Sequence, residues 1–348
     1  MSRPANGPGT VTLIGSGELT PSMSKVHRTV RSAIAGPLRA VFLDTPAGFE
    51  LNVDQISARA VAYFAERLGA ELTVASFKAA AAATPAQVAA VLRKLRQANY
   101  IFAGPGSPTY TVRNWQGTAV LEALQRRLAA GAHLVFASAA AIAMGRYALP
   151  VYEIYKVGEE PRWVEGLNLF GRYGLELAIV PHWNNTEGGS YDTRYCFIGE
   201  PRMRILEAQL PGSATVLGID EYTACRIDLG SGECRVLGAG QVTLCQGGRE
   251  RAYPAPAVFG LDRLRATAPL AGVYPALADA PRSSDFVWPD LPEDDEASVA
   301  PFIDLLVDIR AQLRAGQHWE LADEIRRRLA ALGVALDDGP EETTWRRA

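Results

Sequence analysis

Ala132-His133-Leu134-Val135-Phe136-Ala137-Ser138-Ala139-Ala140-Ala141-Ile142-Ala143-Met144-Gly145 is a short apolar run that meets one serine and continues in small residues. The run reads as a buried strand, the small residues as a helix, and Ser138 as the turn between them. Such a turn lifts a hydroxyl clear of the sheet and points the next backbone N–H where an oxyanion would form. A helix that packs back on its own strand needs small side chains, which Ala139, Ala140 and Ala141 supply. Phe136 and Ala140 stand where a G-x-S-x-G elbow carries glycine. A serine between strand and helix is also a good N-cap, so these residues alone leave both readings open.

Outward from this stretch, strands and helices alternate. Residues 11–14, 39–44, 72–75 and 99–103 read as strands, and 22–33, 52–68, 84–96 and 119–130 as helices. This alternation predicts an α/β fold with a mostly parallel, doubly wound sheet covered on both faces. Ligands in such sheets sit beyond the carboxyl ends of the strands, where the loops 15–18, 44–52 and 104–108 and Ser138 converge. Residues 147–173 form an irregular aromatic insert. A strand over 175–180 ends in Pro181-His182-Trp183-Asn184-Asn185, and a helix falls within 195–209. Three or four strands between 214 and 244 should extend the sheet in antiparallel fashion. Residues 248–280 show no clear period. Between Pro281 and Ala300 six acids, one base and two prolines (Pro289, Pro292) mark a linker. Two helices, 301–315 and 318–332, close the chain as a helical hairpin, with Gly333 at the C-cap. Phe302, Leu305, Ile309 and Leu313 are the expected apolar face of the first, and Leu321, Ile325 and Leu329 that of the second. The domains expected are a disordered leader (1–9), an α/β domain (10–280), the linker (281–300) and the hairpin (301–348).

The chain has 348 residues, 48% apolar and 21% charged, with a formal charge of -3. That balance suits a soluble globular protein and supplies no global field toward nucleic acid or an anionic membrane. Cys196, Cys225, Cys234 and Cys245 lack C-x-x-C spacing and read as free thiols of a cytoplasmic protein. No cofactor and no metal ion is expected, and no membrane contact.

Of four histidines, His27 reads as part of a polar helix face, His133 as the start of a strand and His318 as a helix start. His182 sits just past a strand end on the loop-rich edge, where it could take the proton of Ser138. A base of this kind needs an acceptor on its other ring nitrogen. Glu221 is the choice for that acceptor, with Asp220 and Asp192 in reserve. The glycines of 104–106 allow a second oxyanion donor to approach. Gly15-Ser16-Gly17 lacks the third glycine of a dinucleotide fingerprint, where Thr20 stands.

With these pieces in place, residues 10 to about 250 resemble the peptidase E and cyanophycinase family. The resemblance rests on Gly15-Ser16-Gly17-Glu18, the glycine loop from Phe102 to Ser107, the Ser138 elbow, Val180-Pro181-His182, and Gly218-Ile219-Asp220-Glu221-Tyr222-Thr223-Ala224. It implies a class I glutamine amidotransferase-like, three-layer αβα fold. It also implies a nucleophile at Ser138, a base at His182 and an acid at Glu221, with Ala139, Gly106, Gly104, Glu18 and Asn184 as oxyanion or substrate-binding residues. The segment from Ala322-Asp323-Glu324-Ile325-Arg326 through Thr343-Thr344-Trp345 resembles the C-terminal module of cysteinyl-tRNA synthetases, which in that family helps hold tRNA. From residue 300 onward, however, seven arginines face nine acids, a net -2, whereas nucleic-acid modules gain affinity from basic charge. The first functional expectation is therefore a serine hydrolase acting on a small peptide or other amide. The alternative is a non-catalytic binding protein of the same fold. For residues 301–348, tRNA or a protein partner stays open, as does a homodimer of the chain.

Overall fold

The computed structural model describes residues 7–266, 296–316, 318–331, 334–338 and 343–347. It divides into two compact units, Met1–Phe286 and Val287–Ala348.

In chain order, the first unit begins β1 (Thr10–Ile14), α1 (Ser24–Ser32), β2 (Ala40–Leu43), α2 (Val53–Tyr63), β3 (Leu72–Ala75), α3 (Pro85–Gln97) and β4 (Tyr100–Ala103). Then come α4 (Pro108–Trp115), α5 (Ala119–Ala129), β5 (His133–Ala137) and α6 (Ala139–Ala143). Local chemistry sets these boundaries. Thr84 caps α3 in a reciprocal capping box with Gln87, with Pro85 in the first turn. Helix α4 was not among the expected elements; Ser107-Pro108 is its cap followed by an N1 proline, and the Ser107 hydroxyl accepts the Tyr110 N–H.

The remainder comprises β6 (Tyr147–Ala148), β7 (Val164–Glu165), β8 (Leu177–Val180), α7 (Glu200–Gln209), β9 (Thr215–Ile219), β10 (Thr223–Asp228), β11 (Glu233–Gly238), β12 (Gln241–Gln246), β13 (Arg249–Pro254) and β14 (Val258–Gly260). The first sheet runs β14-β11-β10-β1-β5-β4-β2-β3. Its five strands from β1 to β3 are parallel, and β10, β11 and β14 extend it in antiparallel fashion. The expected single sheet is nonetheless two. A six-stranded sheet, β13-β12-β9-β8-β6-β7, takes the strand before His182 and half of the presumed extension. The chain crosses between sheets at residues 220–222, where β9 of the second gives way to β10 of the first. The aperiodic stretch after residue 248 supplies β13 and β14. Arg249–Pro254 is mostly exposed, so it lacks the alternation that marks a half-buried strand.

Gly9, assigned to the leader, is tied in: its N–H donates to the Leu128 carbonyl, and its carbonyl accepts the Leu229 N–H. Of the expected leader, residues 1–6 lie outside the described residues.

His27 is another correction. It is buried, not on a polar face, with Nδ1 2.6 Å from Tyr100 Oη and Nε2 2.7 Å from the Glu18 carbonyl. Tyr63, Phe64 and Phe102 surround the ring. Burial lowers its pKa to about 4. The folded state therefore holds His27 neutral, and its contribution to stability is complete above pH 6.5 and lost as pH falls toward 4. The loss amounts to about 3 kcal/mol. Denaturant titrations at pH 7 and 4 should show a smaller acid-induced loss in His27→Gln than in the native chain. Equal losses would mean that the ring does not titrate this way.

The second unit contains α8 (Glu296–Ala315), α9 (Trp319–Ala331) and a β-hairpin, β15 (Val334–Asp338) with β16 (Thr343–Arg347). Helix α8 begins within the expected linker; residues 281–295 and Gly333 lie outside the described residues. The hairpin is an addition to the expected helix pair, and it changes which faces are buried. Ile303, Val307, Leu329, Val334 and Leu336 form the core, whereas Leu305, Ile309 and Leu321 are exposed. Buried Arg310 makes a two-pronged bond to Asp338, at 2.7 and 2.9 Å. Arg314 and Arg326 pair with the same carboxylate, and Arg327 and Arg328 with Glu324. No helix among the described residues is long and apolar enough to cross a membrane.

Candidate active site

Ser138 follows β5 with φ 50° and ψ −115°, outside the conformations an L-residue prefers. Such a backbone costs about 1–3 kcal/mol and is held by its surroundings. Here the Ser138 N–H donates to the Ile14 carbonyl, and its carbonyl accepts the Ile142 N–H from α6. The hydroxyl is thereby turned toward a cavity of about 220 Å³. Phe136, at the first departure from a glycine elbow, is fully buried and packs edge-on against Trp115, 6.4 Å between centroids. Ala140 is likewise buried. Neither lines the cavity.

His182 lies two residues beyond β8, in the second sheet, and also has a positive φ of 49°. Its Nε2 is 2.9 Å from Ser138 Oγ, and its Nδ1 is 2.9 Å from Glu221 Oε1. Glu221 sits in the turn where the chain crosses from β9 to β10. Hydroxyl, imidazole and carboxylate thus come from the first sheet, the second sheet and the crossing between them. The Trp183 N–H donates to the Ile219 carbonyl, binding the His182 loop to that crossing.

Glu221 is fixed from three sides. Asn184 Oδ1 accepts its backbone N–H at 2.8 Å, Asn185 Nδ2 donates to Oε1 at 3.1 Å, and the Ser16 hydroxyl accepts the N–H of Tyr222. The hydrogen bond with His182, and then that from Asn185, hold its carboxyl below the usual range despite partial burial. Asp220 turns the other way and accepts the Gln241 N–H; Asp192 bonds Arg194 and the Glu200 N–H. The two reserves therefore anchor other elements, and neither is bonded to His182.

Ala139 and Gly106 line the cavity with Ser138. The Ala139 N–H lies in the first turn of α6, where a helix offers no acceptor of its own. Gly104, Glu18 and Asn184 are not among the cavity's lining residues. Asn184 is occupied with the Glu221 backbone, as described. Glu18 lines a separate cavity beyond the glycine loop, and burial raises its carboxyl pKa.

The far wall was not legible in the sequence. Tyr195, Cys196 and Phe197 are three successive residues with positive φ, 59°, 59° and 67°. The Phe197 ring lies 6.3 Å from His182 and 5.3 Å from Tyr155. Cys196 shares the cavity, but burial, with a contribution from Glu221, pushes its thiol up to about 12. It is no thiolate at neutral pH, whereas the Ser138 hydroxyl has an imidazole in contact. All four cysteines are free and buried.

Buried Asn185 is the functional candidate that sequence reasoning missed. Beside Asn184 it resembled any turn asparagine, and only the fold brings its amide to Glu221. Asn185→Ala should lower kcat about tenfold with little change in KM, since a hydrogen bond to a charged group is removed. With one cause of the lowered Glu221 pKa gone, that pKa rises. An unchanged kcat would reduce Asn185 to packing.

The model for peptidase family S51 matches residues 11–233, well over half of the chain. The chain belongs to peptidase family S51. Among solved structures, this S51 chain is similar to a peptidase from an acI-B1 actinobacterium, with a TM-score of 0.60 and 19% identity over 74% of this chain and 98% of that one. That likeness is one of fold. A short segment is similar to cysteine–tRNA ligases: 51% identical over 45 residues to that of Tolumonas auensis, and 44% over 66 residues to that of Micrococcus luteus. These matches span only 10% and 14% of the ligases' own lengths.

Proposed function

We propose that the chain hydrolyses a peptide or related amide bond through an acyl-enzyme on Ser138. The observation that carries this reading is the unbroken chain of contacts from Ser138 Oγ through His182 to Glu221 at a strained strand-to-helix turn. His182 Nε2 takes the hydroxyl proton as Oγ bonds to the substrate carbonyl carbon. Glu221 holds the Nδ1 proton and stabilises the imidazolium. The N–H groups of Ala139 and Gly106 receive the carbonyl oxygen as its charge develops. His182 then returns its proton to the leaving amine as the C–N bond breaks. Water, deprotonated by the same imidazole, releases the acid and restores the Ser138 hydroxyl.

Fluorophosphonate labelling followed by peptide mapping tests the proposal. Modification confined to Ser138 supports it, and an unlabelled native chain overturns it. Binding of tRNA by the second unit draws support from the ligase similarity alone. The arginines a phosphate backbone would need, Arg310, Arg314, Arg326, Arg327 and Arg328, are already paired with carboxylates.

A further inference from the structure

On the second sheet, α7 and the β12–β13 hairpin bring three metal-ligating side chains together. Met203 and Leu206 turn α7 onto the sheet, where they pack with Val216 and Cys245. Glu207, next along the helix, is carried to the margin of that contact and is partly buried. Across the hairpin, Cys245 of β12 stands directly opposite Glu250 of β13, and directly opposed residues share a face of the sheet. One carboxylate oxygen of Glu207, the Cys245 sulfur and one carboxylate oxygen of Glu250 all lie within 4.8 Å of one another. None of these residues lines the cavity at Ser138. No local spacing announces such a set, because its members come from three separate elements.

Cys245 is the informative residue. Only 6% of it is exposed, and beyond its contact with Glu207 no polar partner reaches the sulfur among the described residues. The buried thiol is thus aimed at the two carboxylates. No Lys or Arg side chain among the described residues pairs with either carboxylate, and Arg204 acts on Glu207 only from a distance. Burial, and then Glu250, raise the Glu207 carboxyl above its usual range, and burial with both carboxylates pushes the Cys245 thiol up. Each negative charge here opposes the next, a conflict that a divalent cation among them removes. The last turn of α7, which holds Glu207, adds the negative end of the helix dipole. One thiolate with two carboxylates suits zinc better than magnesium or calcium, which take oxygen ligands alone. Donors on a tetrahedral zinc ion lie about 3.5 Å apart, so closure asks for about 1 Å of movement, which the exposed Glu250 side chain can supply.

We propose that Glu207, Cys245 and Glu250 form a zinc site with a fourth position open to water, tying α7 to the β12–β13 hairpin. The Cys245 proton passes to solvent as the Zn–S bond forms. This site stands apart from the hydrolase reading, and so does its test. The full chain, stripped with a chelator, is titrated with Co²⁺ and then with Zn²⁺. A near-ultraviolet thiolate-to-cobalt band should grow to one equivalent and vanish as Zn²⁺ displaces the cobalt. Melting curves should shift upward by about 5 °C at a hundredfold excess of Zn²⁺ over its measured Kd. Cys245→Ser should abolish the band. Glu250→Gln, at an exposed side chain, should weaken Zn²⁺ binding at least tenfold, and it keeps the test decisive if the buried serine impairs folding. Absence of the band from the native chain would overturn the site. Its survival in Cys245→Ser would do so too, by moving the metal to another thiol such as Cys196, whose N–H donates to the His182 carbonyl. Undiminished Zn²⁺ binding in the Glu207→Gln, Glu250→Gln double variant would be equally fatal.

Discussion

Ser138→Ala is expected to abolish fluorophosphonate labelling and to lower amide hydrolysis by about 10⁴-fold or more, leaving a folded protein of unchanged thermal stability or better. The size of the effect follows from the mechanism: without Oγ there is no acyl-enzyme, and only binding and the oxyanion donors remain to assist direct attack by water. Stability should hold because the strained backbone at Ser138 is kept by main-chain bonds to Ile14 and Ile142, which alanine retains. His182→Ala should be nearly as damaging, and the double variant little worse than either alone, since the two groups act as a unit. The measurement is kcat/KM on one cleaved peptide, with melting curves alongside. Labelling that persists in Ser138→Ala would place the reactive group elsewhere. Rates that multiply in the double variant would mean that Ser138 and His182 do not act together.

How much of this could be read beforehand depended on what each residue's surroundings record locally. The strand before Ser138 and the small residues after it state their own geometry, because a buried strand must be apolar and a close-packed helix must be small. His182 was separable from the other histidines by its place at a strand end. His27 was not, since its burial is imposed by Tyr63, Phe64, Tyr100 and Phe102, of which the last two are more than seventy residues distant. The division into two sheets was likewise invisible: β9 and β10 are both apolar and nearly consecutive, and nothing in their pattern says that they pair with different neighbours. That division matters to the site, because it sets the imidazole of His182 and the hydroxyl of Ser138 on different sheets and makes the crossing between them the seat of Glu221. In the second unit the helical spacing marks both helices, and Ile325 and Leu329 of α9 do face the core, but α8 turns in Ile303 and Val307 and leaves Leu305 and Ile309 exposed. The β-hairpin covers Ile303 and Val307 and buries Arg310 on Asp338, a choice that periodicity alone cannot make.

The glycines of the loop opposite Ser138 offer the sharpest stability contrast. Gly106 has φ +145°, and a Cβ built there would lie 1.9 Å from the Pro46 carbonyl oxygen and 2.7 Å from the Ala47 nitrogen. The same Pro46 oxygen accepts the Ser107 N–H at 2.9 Å, so the loop cannot retreat without surrendering that bond. Gly106→Ala should therefore destabilise the first unit by about 3 kcal/mol or more, combining overpacking with backbone strain. It should also cost about 10²-fold in kcat by moving an oxyanion donor, with labelling at Ser138 slowed to match. Gly104→Ala is the control. A Cβ there meets nothing nearer than the Phe42 ring at 3.8 Å and the Glu18 carboxylate at 3.9 Å, ordinary contacts that require no movement. The two variants differ by one methyl group each and lie two residues apart, so a general intolerance of the loop to substitution would affect both. Denaturant midpoints and labelling rates measured together decide the matter. A Gly106→Ala protein that matches Gly104→Ala in both would show that the loop does not need its close seat on Pro46, and that the second oxyanion donor must be sought in another backbone amide.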